Sequence, residues 1–188
     1  DHLLLGLRGP VLRGWAAILE VALVDDDEAG WLRLAPVDEG GAMLRKHFLD
    51  LGGLGIRDLC VQGKDLLILA GPTMDLDGPV YVYRWKGGAL PQEESIVHAD
   101  ALERVLTVPY GEGVDHAEGM TLLTDKDHAI PVQVVRNGLR AVAFGAGASG
   151  TLELRFMAAN AEIQNGDRLV SSGIDGTYPP GLPVANVV

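Results

Sequence analysis

A single cysteine in 188 residues excludes an internal disulfide framework and any multi-cysteine metal cluster. That residue, Cys60, sits in the apolar run DLCV and reads as a small buried hydrophobe. Positive charge is also scarce. Fifteen Lys/Arg stand against 26 Asp/Glu, for a net charge of −11, which excludes nucleic acid or an anionic membrane surface as a partner held by bulk electrostatics. No apolar run approaches the ~20 residues needed to cross a bilayer. The opening DHLLLGLRGP has neither the basic n-region nor the cleavage segment of a signal peptide. The expectation is therefore no membrane segment in this chain. No Ser lies in a Gly-x-Ser-x-Gly turn and no His/Cys set has zinc-ligand spacing, so no catalytic residue, metal or cofactor is assigned.

What is present is apolar residues and punctuation. Hydrophobic residues make up 47% of the chain, and 25 glycines and 10 prolines divide them into runs of strand length. In the first part the runs are HLLLGL, WAAILEVAL, WLRLAPV, LRKHFLDL, IRDLCVQ, DLLILAG, VYVYRW and ESIVHA, most of them bounded by turns such as QGKD and DLDGP. The fold class predicted is all-β. LLLGLRGP at 3–10 aligns with LLILAGP at 66–72, and each leads through a loop into a further strand. GIRDLCV at 55–61 aligns likewise with HAEGMTL at 116–122. A recurrence of about 60 residues built from strands is the rhythm of β-propeller blades. Residues 1–123 would hold the tail of one blade, one complete blade and the first strand of a third.

The texture changes near residue 124. Residues 1–123 carry 10 Lys/Arg against 20 Asp/Glu, whereas 124–188 carry 5 against 6. AIPVQVVRNGLRAVAFG reads as a hairpin turning at Asn137-Gly138, where both turn positions tolerate positive φ. In TLELRFM, Leu152, Leu154 and Phe156 alternate with Glu153 and Arg155, as in a strand with one wet face. Pro179-Pro180-Gly181 bends the chain between two further strands. This part reads as a small antiparallel β-barrel or sandwich, and the boundaries predicted are 1–120 and 121–188.

TLLTDKDHAIPVQVVRNGLRAVAFG, LELRFM and NGDRLVSSGIDGTYPPGLPVANV, in that order, resemble the C-terminal β-domain of the rod-shape-determining MreC family. The resemblance implies a periplasmic, non-enzymatic scaffold whose partners are proteins of the cell-wall elongation machinery, with self-association as a further mode. LLLGLRGPVLRGWAAILEV, LDLGGLGIRDL, LLILAGP, VYRW and GVDHAEGM resemble a bacterial domain of unknown function, family thirty-six-sixteen, which implies a propeller-like fold and no particular activity. Measured against both families, each part is incomplete, and a seam falls at about 120–124. The two Asp-His-Ala tripeptides, at 115–117 and 127–129, belong to different sides of it.

The charged residues Arg8, Arg57, Asp58, His116 and Glu118 are the ligand or metal candidates. If IRD and HAEG are first strands of neighbouring blades, these side chains meet near a propeller axis, and salt bridges between blades are the simpler outcome. Asp25-Asp26-Asp27-Glu28 suits a hard cation but also an exposed turn. DLDG at 75–78 starts like a calcium loop yet meets Lys86 where the bidentate Glu is needed. GAGASG runs into a strand, so it offers phosphate no helix N-terminus. His116 and His128 have no nucleophile beside them, and Ser171 and Ser172 have no base. The function expected is a non-catalytic scaffold. The alternatives are a propeller-type ligand- or metal-binding protein or hydrolase, and a non-natural or accidental fusion without a function of its own.

Overall fold

The computed structural model describes residues 2–26, 30–73, 77–111, 116–147, 150–158 and 160–188. Asp27 and Glu28 of the acidic turn, Asp75 and Leu76 of DLDG, Asp115 of the first Asp-His-Ala, and Ala148 and Ser149 of GAGASG lie outside them. The fold is all-β. Among the described residues the only helical element is a 3-10 turn at Ala99–Ala101. The chain divides into two compact units, Asp1–Met120 and Thr121–Val188.

Unit 1 contains two sheets. In the first, β1 (His2–Gly6) pairs with the long β2 (Trp15–Asp26). The far side of β2 pairs with β3 (Trp31–Ala35) along one half and β4 (Arg45–Asp50) along the other. The second sheet is antiparallel, in the order β5 (Gly55–Gln62), β6 (Asp65–Gly71), β7 (Val80–Trp85) and β9 (Leu102–Val108). The short β8 (Ser95–Val97) crosses back and pairs with β4 in parallel, a departure from the purely antiparallel pattern of a blade.

Side-chain alternation decides how the sheets pack. In β6, Leu66, Ile68 and Ala70 face the first sheet and join Ala16, Ile18, Leu49 and Ile56 in one core. Leu69 points the other way, into a second cluster with Val80 and Val82 that Ala117 and Met120 partly cover. The second sheet thus has apolar side chains on both faces, which explains why DLLILAG reads as a continuous hydrophobic run. Each fully buried Leu or Ile in these clusters contributes ~1.5–3 kcal/mol of transfer free energy.

Unit 2 is one five-stranded antiparallel sheet. It contains β10 (Ala129–Val134), β11 (Arg140–Gly145), β12 (Leu152–Arg155), β13 (Arg168–Ser171) and β14 (Pro183–Asn186), in the order β12-β11-β10-β13-β14. Its core is formed by Ile130, Val132, Val134, Ala141, Ala143 and Leu169. Gly145 has to be glycine: a Cβ there would sit 1.8 Å from the Asp125 carbonyl oxygen, where residues 124–125 cross β11.

Four local expectations are corrected, and one strand, β9, comes without having been expected. Cys60 is half-buried, because its strand ends toward solvent at Val61 and Gln62. The strand β9 escapes a period-2 reading because a bulge opposite Val82/Tyr83 switches faces, so that Leu102 and Leu106 point to opposite sides. HAEGM carries no strand pairing. The β10–β11 connection is longer than a two-residue turn, and only Gly138 has positive φ. Asn137 instead accepts a bond from the Leu139 amide at 3.1 Å and donates to the Glu162 carbonyl at 2.8 Å. Phe156 lies past the end of β12 with φ of 60° and is 79% exposed, so it is not a core residue.

Candidate functional site

In unit 1 the residues singled out from the sequence meet at the start of β5. A β-bulge makes Arg57 the extra residue between Ile56 and Asp58 and re-aims its side chain. The guanidinium is almost fully buried and lies against Gly71, where a Cβ would come within 2.2 Å of its Nε. It donates to the Pro72 carbonyl at 2.9 Å and, in a short contact, to Glu118 Oε1. Arg8 donates to the other oxygen of Glu118 at 3.4 Å. Asp58 accepts the Leu59 amide at 2.9 Å and the Met120 amide at 2.7 Å. Arg8, Arg57, Asp58 and Glu118 therefore form one group that ties residues 118–120 to β5.

His116 stands apart from those contacts. Its buried ring stacks on Tyr110 at 5.7 Å, and its Nε2 lies 4.0 Å from Asp77, too far for a hydrogen bond. Both cations of the group share one carboxylate, and both oxygens of Asp58 hold backbone amides. That leaves the group no free base beside a nucleophile. Among the described residues no three His, Cys, Asp or Glu side chains are placed to hold a metal ion.

A second charged group in unit 1 was not found from the sequence. Glu20, 1% exposed in the middle of β2, accepts from His2 Nδ1 at 2.5 Å and from His47 Nε2 at 3.1 Å, with Arg45 at 3.6 Å. His47 is fully buried and tilts against Trp85 at 5.5 Å. The signal was available. Glu20 shares its side of the strand with Ala16, Ile18 and Ala22, and a carboxylate at an inward position requires buried partners.

In unit 2 the strand order leaves β12 and β14 as the two edges. Between them opens a cavity of about 730 Å³, lined mainly by apolar side chains including Leu152, Leu154, Leu169, Val184 and Val187. Nearby loops are fixed by an Arg136–Asp167 clamp with bonds of 2.7 and 2.8 Å. Asp167 also accepts the Gln164 amide at 2.9 Å. The Arg136 hydrogen bonds, and after them the Gln164 amide, hold the Asp167 carboxyl down at about 2. The serines serve the backbone: Ser171 donates to the Pro179 carbonyl at 2.5 Å and accepts the Leu182 amide at 2.9 Å.

The fold and these sites define an all-β protein of two units, one cross-tied by charge and one with an apolar cleft between sheet edges. Residues 1–140 match the family described as protein of unknown function (DUF3616), and the chain belongs to that family. Residues 116–188 match the barrel core of the rod shape-determining protein MreC, so the two matches overlap over 116–140. The chain is 47% identical over 66 residues to the cell shape-determining protein MreC of Escherichia coli (strain K12), covering 35% of this chain and 18% of that protein. It is 37% identical over 102 residues to the Haemophilus influenzae protein of the same name, covering 54% and 28%. The chain thus spans less than a third of the curated relatives it matches. The crystal structure of MreC from Pseudomonas aeruginosa aligns at 26% identity over 99% of this chain and 78% of that one, with a TM-score of 0.33.

Proposed function

We propose that the chain is a non-catalytic scaffold whose unit 2 docks proteins of a cell-shape and cell-wall elongation complex on the periplasmic side. The observation that carries this reading is the 47% identity to a cell shape-determining protein over 66 residues. The apolar cleft between the edges β12 and β14 supports it, since open sheet edges above an apolar floor accept partner chains. Residues 1–120 are read as a partial propeller-like domain and 121–188 as an MreC-like β-domain, with the seam between them.

Grafting tests the reading. When the matching segment of the Escherichia coli relative is replaced by that of this chain, cells depending on the graft are expected to remain rods. A second graft carrying Leu154→Glu in the cleft is expected to give round cells at equal protein level. Round cells with the unaltered graft, stably accumulated, would sink the proposal.

Within unit 1, Arg8, Arg57, Asp58 and Glu118 are read as a structural tie rather than a ligand site. Calcium, zinc and phosphate esters are accordingly expected to leave the melting temperature of the chain unchanged. A rise with any of them, lost in Arg57→Gln, would favour the alternative of a ligand-binding propeller.

A further inference from the structure

The chain carries Asn-Gly twice, at 137–138 and 165–166, both in unit 2. In this dipeptide the glycine amide nitrogen can reach the asparagine carboxamide carbon and close a cyclic imide, because the following residue has no side chain to obstruct the approach. Asparagine is thermolabile for this reason. Exposure does not separate the two sites, since Asn137 and Asn165 are both exposed. Nor does the attacking nitrogen: the Gly138 amide donates to the Val134 carbonyl and the Gly166 amide to the Val187 carbonyl, each at 2.9 Å.

The side chains do separate them. Asn137 is held at both ends of its carboxamide, where Oδ1 accepts the Leu139 amide at 3.1 Å and Nδ2 donates to the Glu162 carbonyl at 2.8 Å. Arg136 donates to the same carbonyl at 3.0 Å and so fixes the acceptor in place. Turning the carboxamide carbon toward Gly138 breaks both bonds of the Asn137 side chain. Among the described residues no hydrogen bond restrains the side chain of Asn165. With Gly166, it occupies the centre of a turn closed by the Asp167 amide on the Gln164 carbonyl at 3.0 Å. The Gly166–Val187 bond is the last rung between β13 and the edge strand β14, so a local opening of that end frees the nitrogen.

We propose that Asn165-Gly166 is a site of spontaneous covalent modification in the folded chain, yielding aspartate and isoaspartate, and that the fold protects Asn137-Gly138. The Gly166 amide gives its proton to a solvent base, and its nitrogen bonds to Asn165 Cγ. The Cγ–Nδ2 bond breaks and ammonia leaves, which gives the cyclic imide. Water then opens the imide at either carbonyl. One opening gives aspartate, and the other gives isoaspartate, with the main chain routed through the side-chain carbon and longer by a methylene.

Isoaspartate is the product with a structural consequence. The turn it lengthens sets Asp167, whose carboxylate accepts the Gln164 amide at 2.9 Å and holds Arg136, and whose carbonyl accepts the Val187 amide at 2.9 Å. A longer turn displaces Asp167 from these partners. The modification therefore loosens the Arg136–Asp167 clamp and the end of β14, where Val187 lines the apolar cleft. It also makes the chain a substrate for methyltransferases of the class that recognises isoaspartyl carboxylates.

Peptide mapping by mass spectrometry tests this on the full chain, aged in warm, mildly alkaline buffer either folded or unfolded in urea. In urea the two sites are expected to convert at similar rates. In the folded chain Asn137 is expected to convert about tenfold more slowly than Asn165, or slower still, because its two side-chain bonds must break first. Methyl transfer by an isoaspartyl methyltransferase is expected to rise with ageing, to vanish in Asn165→Gln and to persist in Asn137→Gln. The aged wild type is expected to lose amide-exchange protection at Val187. Equal rates at the two sites of the folded chain, an intact Asn165 after the unfolded chain has fully reacted, or undiminished methyl transfer in Asn165→Gln would overturn the assignment. Unchanged protection at Val187 in the converted chain would overturn the loosening of β14.

Discussion

Glu20→Ala is expected to destabilise unit 1 by about 3–5 kcal/mol, the cost of removing one partner from a buried ionic group. The reason lies in what remains. Among the described residues Arg45 keeps the Pro91 carbonyl at 3.2 Å and Asp38 at 3.6 Å, and the fully buried His47 loses the acceptor bonded to its Nε2. Desolvation of these groups is then uncompensated, while the attraction that offset it is gone. Against a typical domain stability of 5–15 kcal/mol this is a large fraction, so a marked fall in the urea midpoint is expected. Glu20→Gln retains acceptor and shape but not charge, and its loss should be clearly smaller. Urea titration followed by tryptophan fluorescence reads the effect, because Trp85 packs against His47. A loss under ~1 kcal/mol for Glu20→Ala would mean that the group is solvated and that its burial is not what holds the two histidines.

How much of this was legible in the sequence depended on whether the cause was local. The strands DLLILAG and VYVYRW appear with the bounds that their punctuation implies, since turns on either side are short-range events. The strand β9 did not, because its bulge is imposed by pairing with β7, and a bulge breaks the alternation on which the reading depends. Arg57 and Glu118 belong to a set of five charged residues, with Arg8, Asp58 and His116, that reading IRD and HAEG as first strands of neighbouring blades brings together; the two touch, although residues 116–120 form no strand. Glu20 was overlooked although its inward position was readable, because its partners come from β1 and β4, far along the chain. Pairing between distant elements is the part that composition and period leave open. The same holds for the cleft of unit 2: its apolar side chains are visible in the sequence, but not the strand order that makes edges of β12 and β14.

Ile68→Ala is expected to remove about 2–5 kcal/mol from unit 1 and nothing from unit 2. Ile68 is wholly buried in the central strand β6, so truncation forfeits its transfer free energy and leaves a cavity that two packed sheets cannot collapse. Unit 2 has a core of its own, and its acid response supplies an independent marker. Because Asp167 is held at about 2 in the folded chain against an ordinary 3.8, its clamp contributes fully above pH 4. That contribution is lost as pH falls from about 4 through 2. Asp167→Asn should therefore lower the stability of unit 2 at neutral pH and flatten its acid profile across that window, leaving the Ile68 transition where it was. In the double variant the two losses should add, as for sites in separate cores without shared partners. Resolved transitions followed by amide hydrogen exchange, with protection tracked separately in β6 and β10, would show this. A single transition in which Ile68→Ala weakens protection in both strands equally would instead mean that the two units fold as one.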